Sequence, residues 1–170
     1  MNEFSSWHVG IAAEAYAAAL FARCGYDVSV QYGANQPEYD LIAVSGDLML
    51  NISVKGSKDG SWGLSQNYKK GRTYHEANQA WLASHHKGTV FCLVQFLNTD
   101  VEEMPRVYLA SPEEIAMRMN ETACGRGDTI LYENHTWTMR AVGRGTTDRI
   151  PEDWKFSPKR IAEMFELHGR

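Results

Sequence analysis

A chain of 170 residues, 44% hydrophobic and 22% charged, is long enough to bury one real core. A net charge of −4 argues against a general nucleic-acid binder, and no apolar run approaches the ~20 residues a membrane span needs. Three scattered cysteines (Cys24, Cys92, Cys124) form no CxxC and leave one unpaired, which argues against a disulfide scaffold or a zinc site. The opening M-N-E-F-S-S-W-H lacks the basic-then-apolar pattern of a secretion signal, so a cytoplasmic location is expected and the Asn134-His135-Thr136 sequon is expected to carry no sugar.

Ser5 or Ser6 caps a predicted helix from about Trp7 to Cys24, with Gly25 as its stop. Ala13, Tyr16, Ala17, Leu20, Phe21 and Cys24 form its apolar stripe. Glu14 is the only acid in that helix, and no Lys or Arg stands three or four positions away. A lone carboxylate among small apolar residues either faces water or has a buried partner. Asp27–Gln31 alternates like a strand, and Tyr32–Pro37 is a Gly-, Asn- and Pro-containing loop. Glu38–Lys55 then reads as a β-hairpin: apolar Leu41–Val44, turn residues Ser45-Gly46-Asp47, and mostly apolar Leu48–Val54. Asp40 opens the first strand and Lys55 closes the second, so the turn brings a carboxylate and an ammonium to one end of the sheet.

Gly56–Gly71 is polar and predicted as an extended loop or ragged strand continuation, followed by a helix over Thr73–His86 with Ala77, Ala80, Trp81 and His85 on one face. Thr89–Leu97 is the most strand-like run and is expected inside the sheet; Arg106–Ala110 is a further strand. Ser111-Pro112-Glu113-Glu114 opens a third helix to about Asn120. Thr129–Glu133 and Thr136–Val142 read as short strands, Arg126-Gly127-Asp128 and Gly143-Arg144-Gly145 as turns, and Ser157-Pro158 starts a last helix ending at Gly169. The predicted fold class is α/β (α+β), a mixed central sheet flanked by helices in the order α-β-β-β-α-β, with a C-terminal β-α extension. The expected division is a core over residues 1–121 and an extension over 122–170 packed on the same domain.

Charge is unevenly spread. Residues 1–54 carry one basic and six acidic side chains, whereas 55–87 carry six basic against two acidic, interleaved with Trp62, Tyr68, Tyr74 and Trp81. That stretch is either a phosphate-contacting patch or a solvated loop. Glu14, Asp40 and Lys55 form two carboxylates and a lysine that converge at one sheet end. Hard divalent cations such as Mg²⁺ are held by one or two carboxylates plus substrate phosphate, and a nearby lysine orients water or stabilises developing charge.

In these residues the chain resembles the PD-(D/E)xK nuclease superfamily, which includes restriction enzymes and archaeal Holliday-junction resolvases. The resemblance covers roughly residues 8–97. Gly10–Glu14 (G-I-A-A-E) is similar to the first-helix acid motif, Tyr39-Asp40-Leu41-Ile42 to the first catalytic acid, and Ser53-Val54-Lys55 to the (D/E)xK. It implies a restriction-endonuclease-like fold and a Mg²⁺- or Mn²⁺-dependent endonuclease acting on DNA, with Glu14 and Asp40 on the metal and Lys55 assisting the attacking water. It also implies Lys69, Lys70 and Arg72 on the phosphate backbone, and dimerisation, as in many members. Ser53 departs from the pattern, offering a neutral hydroxyl where an acid is usual. Two explanations stand. Glu76, the only acid in the second helix, is a migrated ligand, as in members with S-x-K, unless it is simply an exposed helix carboxylate. Otherwise the site has lost catalysis, and the chain is a nuclease-fold module that binds DNA or a protein partner.

Overall fold

The structure is a computed structural model and describes residues 3–31, 38–143 and 145–170. The loop expected at Tyr32–Pro37 and the turn residue Arg144 lie outside the described residues. The chain divides into two compact units, each discontinuous in sequence: residues 1–59, 86–111 and 153–170 form the first, and 60–85 with 112–152 form the second.

The first unit is a five-stranded mixed sheet with two helices on one face. Its strands are β1 (Asp27–Val30), β2 (Leu41–Ser45), β3 (Leu48–Ser57), β5 (Thr89–Gln95) and β6 (Arg106–Ala110), in the order β1-β2-β3-β5-β6. All pairings are antiparallel except β3 with β5. The hairpin turns as expected: Ser45 pairs with Leu48, and Gly46 takes φ 60°, the left-handed conformation that a two-residue hairpin turn requires and glycine supplies without strain. β5 is buried at every position, as a strand with neighbours on both sides should be.

Helix α1 (Ser6–Arg23) is capped by Ser5, whose side chain accepts from the His8 amide while the His8 ring receives the Ser5 N–H. It ends at Gly25, φ 87°. Its buried stripe is Val9, Ala13, Ala17 and Phe21; Tyr16, Leu20 and Cys24 are only partly covered. Ala13, Ala17 and Phe21, with Leu20 and Cys24 packed beside them, and Ile161, Met164 and Phe165 of α5 (Pro158–His168) lie on Leu41, Ala43, Leu50, Ile52, Val54, Val90, Cys92 and Val94 to make the core. α5 is tied down by buried Arg160, whose Nε donates to the Leu109 carbonyl of β6 at 3.1 Å.

One position sets how closely helix and sheet approach. A β-carbon at Gly56 would lie 2.8 Å from Val9 Cγ1, 2.8 Å from the Val9 carbonyl oxygen and 2.9 Å from Ala13 Cβ. The segment from Gly56, expected as an extended loop or a ragged strand continuation, begins as strand, since β3 runs to Ser57. Lys55 does not close β3, because β5 continues the pairing on its other side through Lys55–Leu93 to Ser57–Gln95.

The second unit carries α2 (Tyr74–Ala83), α3 (Pro112–Glu121), a short helix α4 (Met139–Val142) and two small sheets. β4 (Ser61–Gly63) pairs with β7 (Ile130–Tyr132), and β8 (Asn134–Trp137) with β9 (Thr146–Arg149). The strand expected over Thr136–Val142 thus stops at Trp137 and gives way to α4. A buried polar network links its parts: Ser65 Oγ donates to Asn78 Oδ1 (2.5 Å), and Asn78 Nδ2 donates to Asn120 Oδ1 (2.8 Å) and the Asp128 carbonyl (3.0 Å). Asp148 accepts from Arg118 Nη2, the Ala123 amide and Trp137 Nε1 at 2.7–2.8 Å. It so holds the left-handed Ala123-Cys124 turn, φ 57° at both residues, that follows α3. Among the described residues no helix is long and apolar enough to cross a membrane.

Candidate active site

The hairpin and α1 bring three of the predicted residues together in the first unit. Asp40 sits one residue before β2 yet remains in the ladder: its N–H donates to the Ile52 carbonyl and its own carbonyl accepts from Gln31 N–H, both at 2.8 Å. Asp40 precedes the Leu41–Ile52 pair, and its N–H, given to the Ile52 carbonyl, and its carboxylate both engage β3 between Ile52 and Val54, next to Lys55. The carboxylate is fixed by a charge-assisted hydrogen bond, Val54 N–H to Oδ2 at 2.6 Å, donated by the residue immediately before Lys55.

Glu14 stands one residue beyond Ala13, one of the α1 residues packed against Gly56. It is partly buried, and its carboxyl is held above the ordinary carboxylate range. Burial is the main cause, the Asp40 charge adds to it, and the Lys55 ammonium opposes it. The hairpin acid and the lysine therefore both act on the charge of the helix acid. The absence of a surface partner for Glu14 in its own helix was the sequence signal for this.

Ser53 is 2% exposed, a hydroxyl sunk in the sheet rather than a group presented to solvent. Among the described residues no three His, Cys, Asp or Glu side chains converge to hold a metal ion. The donor set is two carboxylates, one of which already accepts the Val54 amide. That set fits a hard cation held loosely and completed by water and phosphate oxygens, rather than an all-protein cage.

The other predicted residues lie in the second unit. Glu76 is the N3 residue of α2: its Oε2 accepts from the Thr73 N–H at 2.7 Å and from Thr73 Oγ1 at 3.0 Å, while Thr73 Oγ1 accepts the Glu76 N–H. The two Thr73 hydrogen bonds hold its carboxyl below the ordinary range, helped by Arg72 and Lys69. Its carboxylate caps the helix, and Thr73-Tyr74-His75-Glu76 is the sequence pattern that announces this. Lys69 Nζ donates to the Arg72 carbonyl (2.7 Å) and stands 4.7 Å over the Tyr74 ring; Arg72 Nη1 donates to the Tyr68 carbonyl (3.1 Å). Lys70 is exposed. Sequence reasoning missed Arg126, which joins Lys69, Arg72 and Tyr74 around one open concavity. Taken as part of a turn, it gave no local signal of this. Cys92 is fully buried in the core, and burial pushes its thiol up, so it is no nucleophile.

No protein-family model matches the chain, and no curated protein matches it. Among solved structures it is similar to a bacterial homing endonuclease, I-Ssp6803I, at 17% identity and a TM-score of 0.39, over 65% of this chain and 67% of that one. A likeness at this level assigns neither family nor activity.

Proposed function

We propose that the chain is a divalent-metal-dependent endonuclease that hydrolyses phosphodiester bonds in DNA. The observation that carries this is the electrostatic coupling of Glu14, Asp40 and Lys55, two carboxylates from separate elements and one lysine. Repulsion from Asp40 contributes to Glu14's raised affinity for a proton, and a cation between them would relieve it. Glu14 and Asp40 are the residues that would hold Mg²⁺ or Mn²⁺. Such an ion, when bound, polarises a phosphoryl oxygen and acidifies water.

The protein's own part is positioning. Val54 N–H fixes Asp40, and Lys55 is the next residue along that strand. Lys55 is exposed, so its ammonium can donate to a phosphate oxygen or orient the attacking water. In the reaction one P–O bond forms from water and one P–O ester bond breaks; negative charge grows on the phosphoryl oxygens, where a lysine stabilises it. Glu76 has no part in this reading, since its carboxylate is taken by Thr73.

Buried Ser53 favours a second reading, a nuclease-fold module that binds DNA or a protein partner without cutting. Calorimetry with Mg²⁺ or Mn²⁺, on wild type and Asp40→Asn, together with a DNA cleavage assay, separates the two. The nuclease requires metal binding and cleavage that both disappear in Asp40→Asn with folding intact. A cutting Asp40→Asn variant, or no metal binding even with DNA present, overturns it; the second outcome leaves the binding module.

A further inference from the structure

The concavity around Tyr74 lies wholly in the second unit and contains none of Glu14, Asp40, Ser53 and Lys55. It brings together side chains from two distant stretches, Lys69 to Glu76 and Arg126. Three cations, Lys69, Arg72 and Arg126, line it against one carboxylate, Glu76, which is spent on Thr73. The first-turn amides of α2 are already served by that capping box, so the attraction for an anion rests on the side chains.

The cations are held largely by neutral partners. Lys69 and Arg72 donate to main-chain carbonyls, which fix their position and leave their charge. The Arg126 guanidinium stands 4.8 Å over the Trp137 ring and 5.5 Å over the Tyr74 ring. Its only acidic partner among the described residues is Asp128, at a loose 3.6 Å, and Asp128 Oδ1 already accepts the Thr129 and Ile130 amides. Arg126 Nη1 also donates to the Ala141 carbonyl at a long 3.4 Å; a guanidinium resting on aromatic faces presents its N–H donors along its edge, and that planar fork matches phosphate oxygens. Lys70, adjacent in sequence, does not line the concavity.

We propose that Lys69, Arg72 and Arg126, organised by Tyr74 and Trp137, form a binding site for the phosphodiester backbone of nucleic acid. Arg126 takes the role that sequence position alone would give Lys70. The proposal rests on the reading of the chain as a DNA-acting protein, but it requires neither metal nor cleavage. It therefore succeeds or fails separately from the nuclease assignment.

The test is binding of a fluorescent DNA duplex in EDTA by full-length protein, as a function of salt. Arg126→Met keeps an apolar side chain on the two rings while removing the charge. It is expected to weaken binding about tenfold and to reduce the slope of log K against log salt by about 0.9, as loss of one phosphate contact requires. Lys70→Met is expected to weaken binding by less than half as much on the logarithmic scale. Arg126→Lys, which keeps charge but loses the fork, should recover the salt slope and only part of the affinity. Near-ultraviolet circular dichroism of Trp137 checks that each variant is folded. Equal losses for Arg126→Met and Lys70→Met, an unchanged salt slope in Arg126→Met, or no binding of DNA by wild type at low salt overturns the proposal. So does heparin binding as tight as DNA binding, which would make the site a general polyanion surface.

Discussion

Gly56→Ala tests whether the close approach of α1 to β3 builds the charge cluster. The added methyl meets three atoms at 2.8–2.9 Å, nearer than unstrained carbon contacts allow. One of them is the Val9 carbonyl oxygen, part of a helix backbone that no rotamer change can move. Overpacking of this kind costs about 1–3 kcal/mol, while replacing a glycine inside a strand returns about 0.5–1 kcal/mol. The balance is a loss of up to about 2.5 kcal/mol, and for a chain of this length a melting temperature lower by up to about 10 °C. The helix yields by moving off the sheet, carrying Glu14 away from Asp40 and toward solvent. Both changes weaken the causes that raise its carboxyl. Differential scanning calorimetry and a carbon-detected NMR titration of Glu14 read the two effects. A variant as stable as wild type, with Glu14 titrating as before, would refute the argument that Gly56 sets the distance.

Three further outcomes follow from particular contacts. Glu14 binds its proton more tightly folded than unfolded, so wild-type stability falls as pH rises from about 4.5 through the higher folded value. Glu14→Gln should therefore melt higher than wild type above that window, with the gain shrinking at lower pH; a pH-independent offset would contradict this. For Asp148, burial raises the carboxyl, but the Ala123, Arg118 and Trp137 hydrogen bonds outweigh it and hold it below the usual 3.8. Its contribution is present above that pH and lost as pH falls through the folded value, so the deficit of Asp148→Asn in thermal melts should be greatest near neutrality and close in acid. Asn78→Ala leaves Ser65, Asn120 and the Asp128 carbonyl without their buried partner, and should cost about 2–3 kcal/mol in urea unfolding at unchanged slope. A loss below about 0.5 kcal/mol would mean the network is not sustained.

What could be read in the sequence was what neighbouring residues decide together. The Ser45-Gly46-Asp47 turn and its apolar flanks gave the hairpin, and with it the approach of Asp40 to the Lys55 end of the partner strand. Glu14 was conspicuous because its own helix offered it no partner. The reading ended Lys55's strand too early, since the pairing that prolongs β3 comes from Thr89–Gln95, beyond any local pattern. β4 and β9 are three and four residues long, too short for alternation to register. Arg126 has no local feature to set it apart from other turn arginines; only tertiary contact brings it onto Tyr74 and Trp137. Glu76 was legible as a cap through Thr73, but its isolation as the helix's sole acid drew attention instead.

The single parallel pairing has a consequence for the order in which the first unit assembles. β1, β2 and β3 follow one another closely, and the bond from Val54 to Asp40 closes a loop of only 14 residues. β3 meets β5 only after the whole of residues 58–88 has been spanned, a slower closure with a larger entropy cost. The hairpin bearing Asp40 and Lys55 is therefore expected to acquire protection before Thr89–Gln95 joins it. Pulsed hydrogen exchange during refolding would register that sequence as amides of β2 slowing ahead of those in β5, and simultaneous protection would show that the hairpin waits for its parallel neighbour.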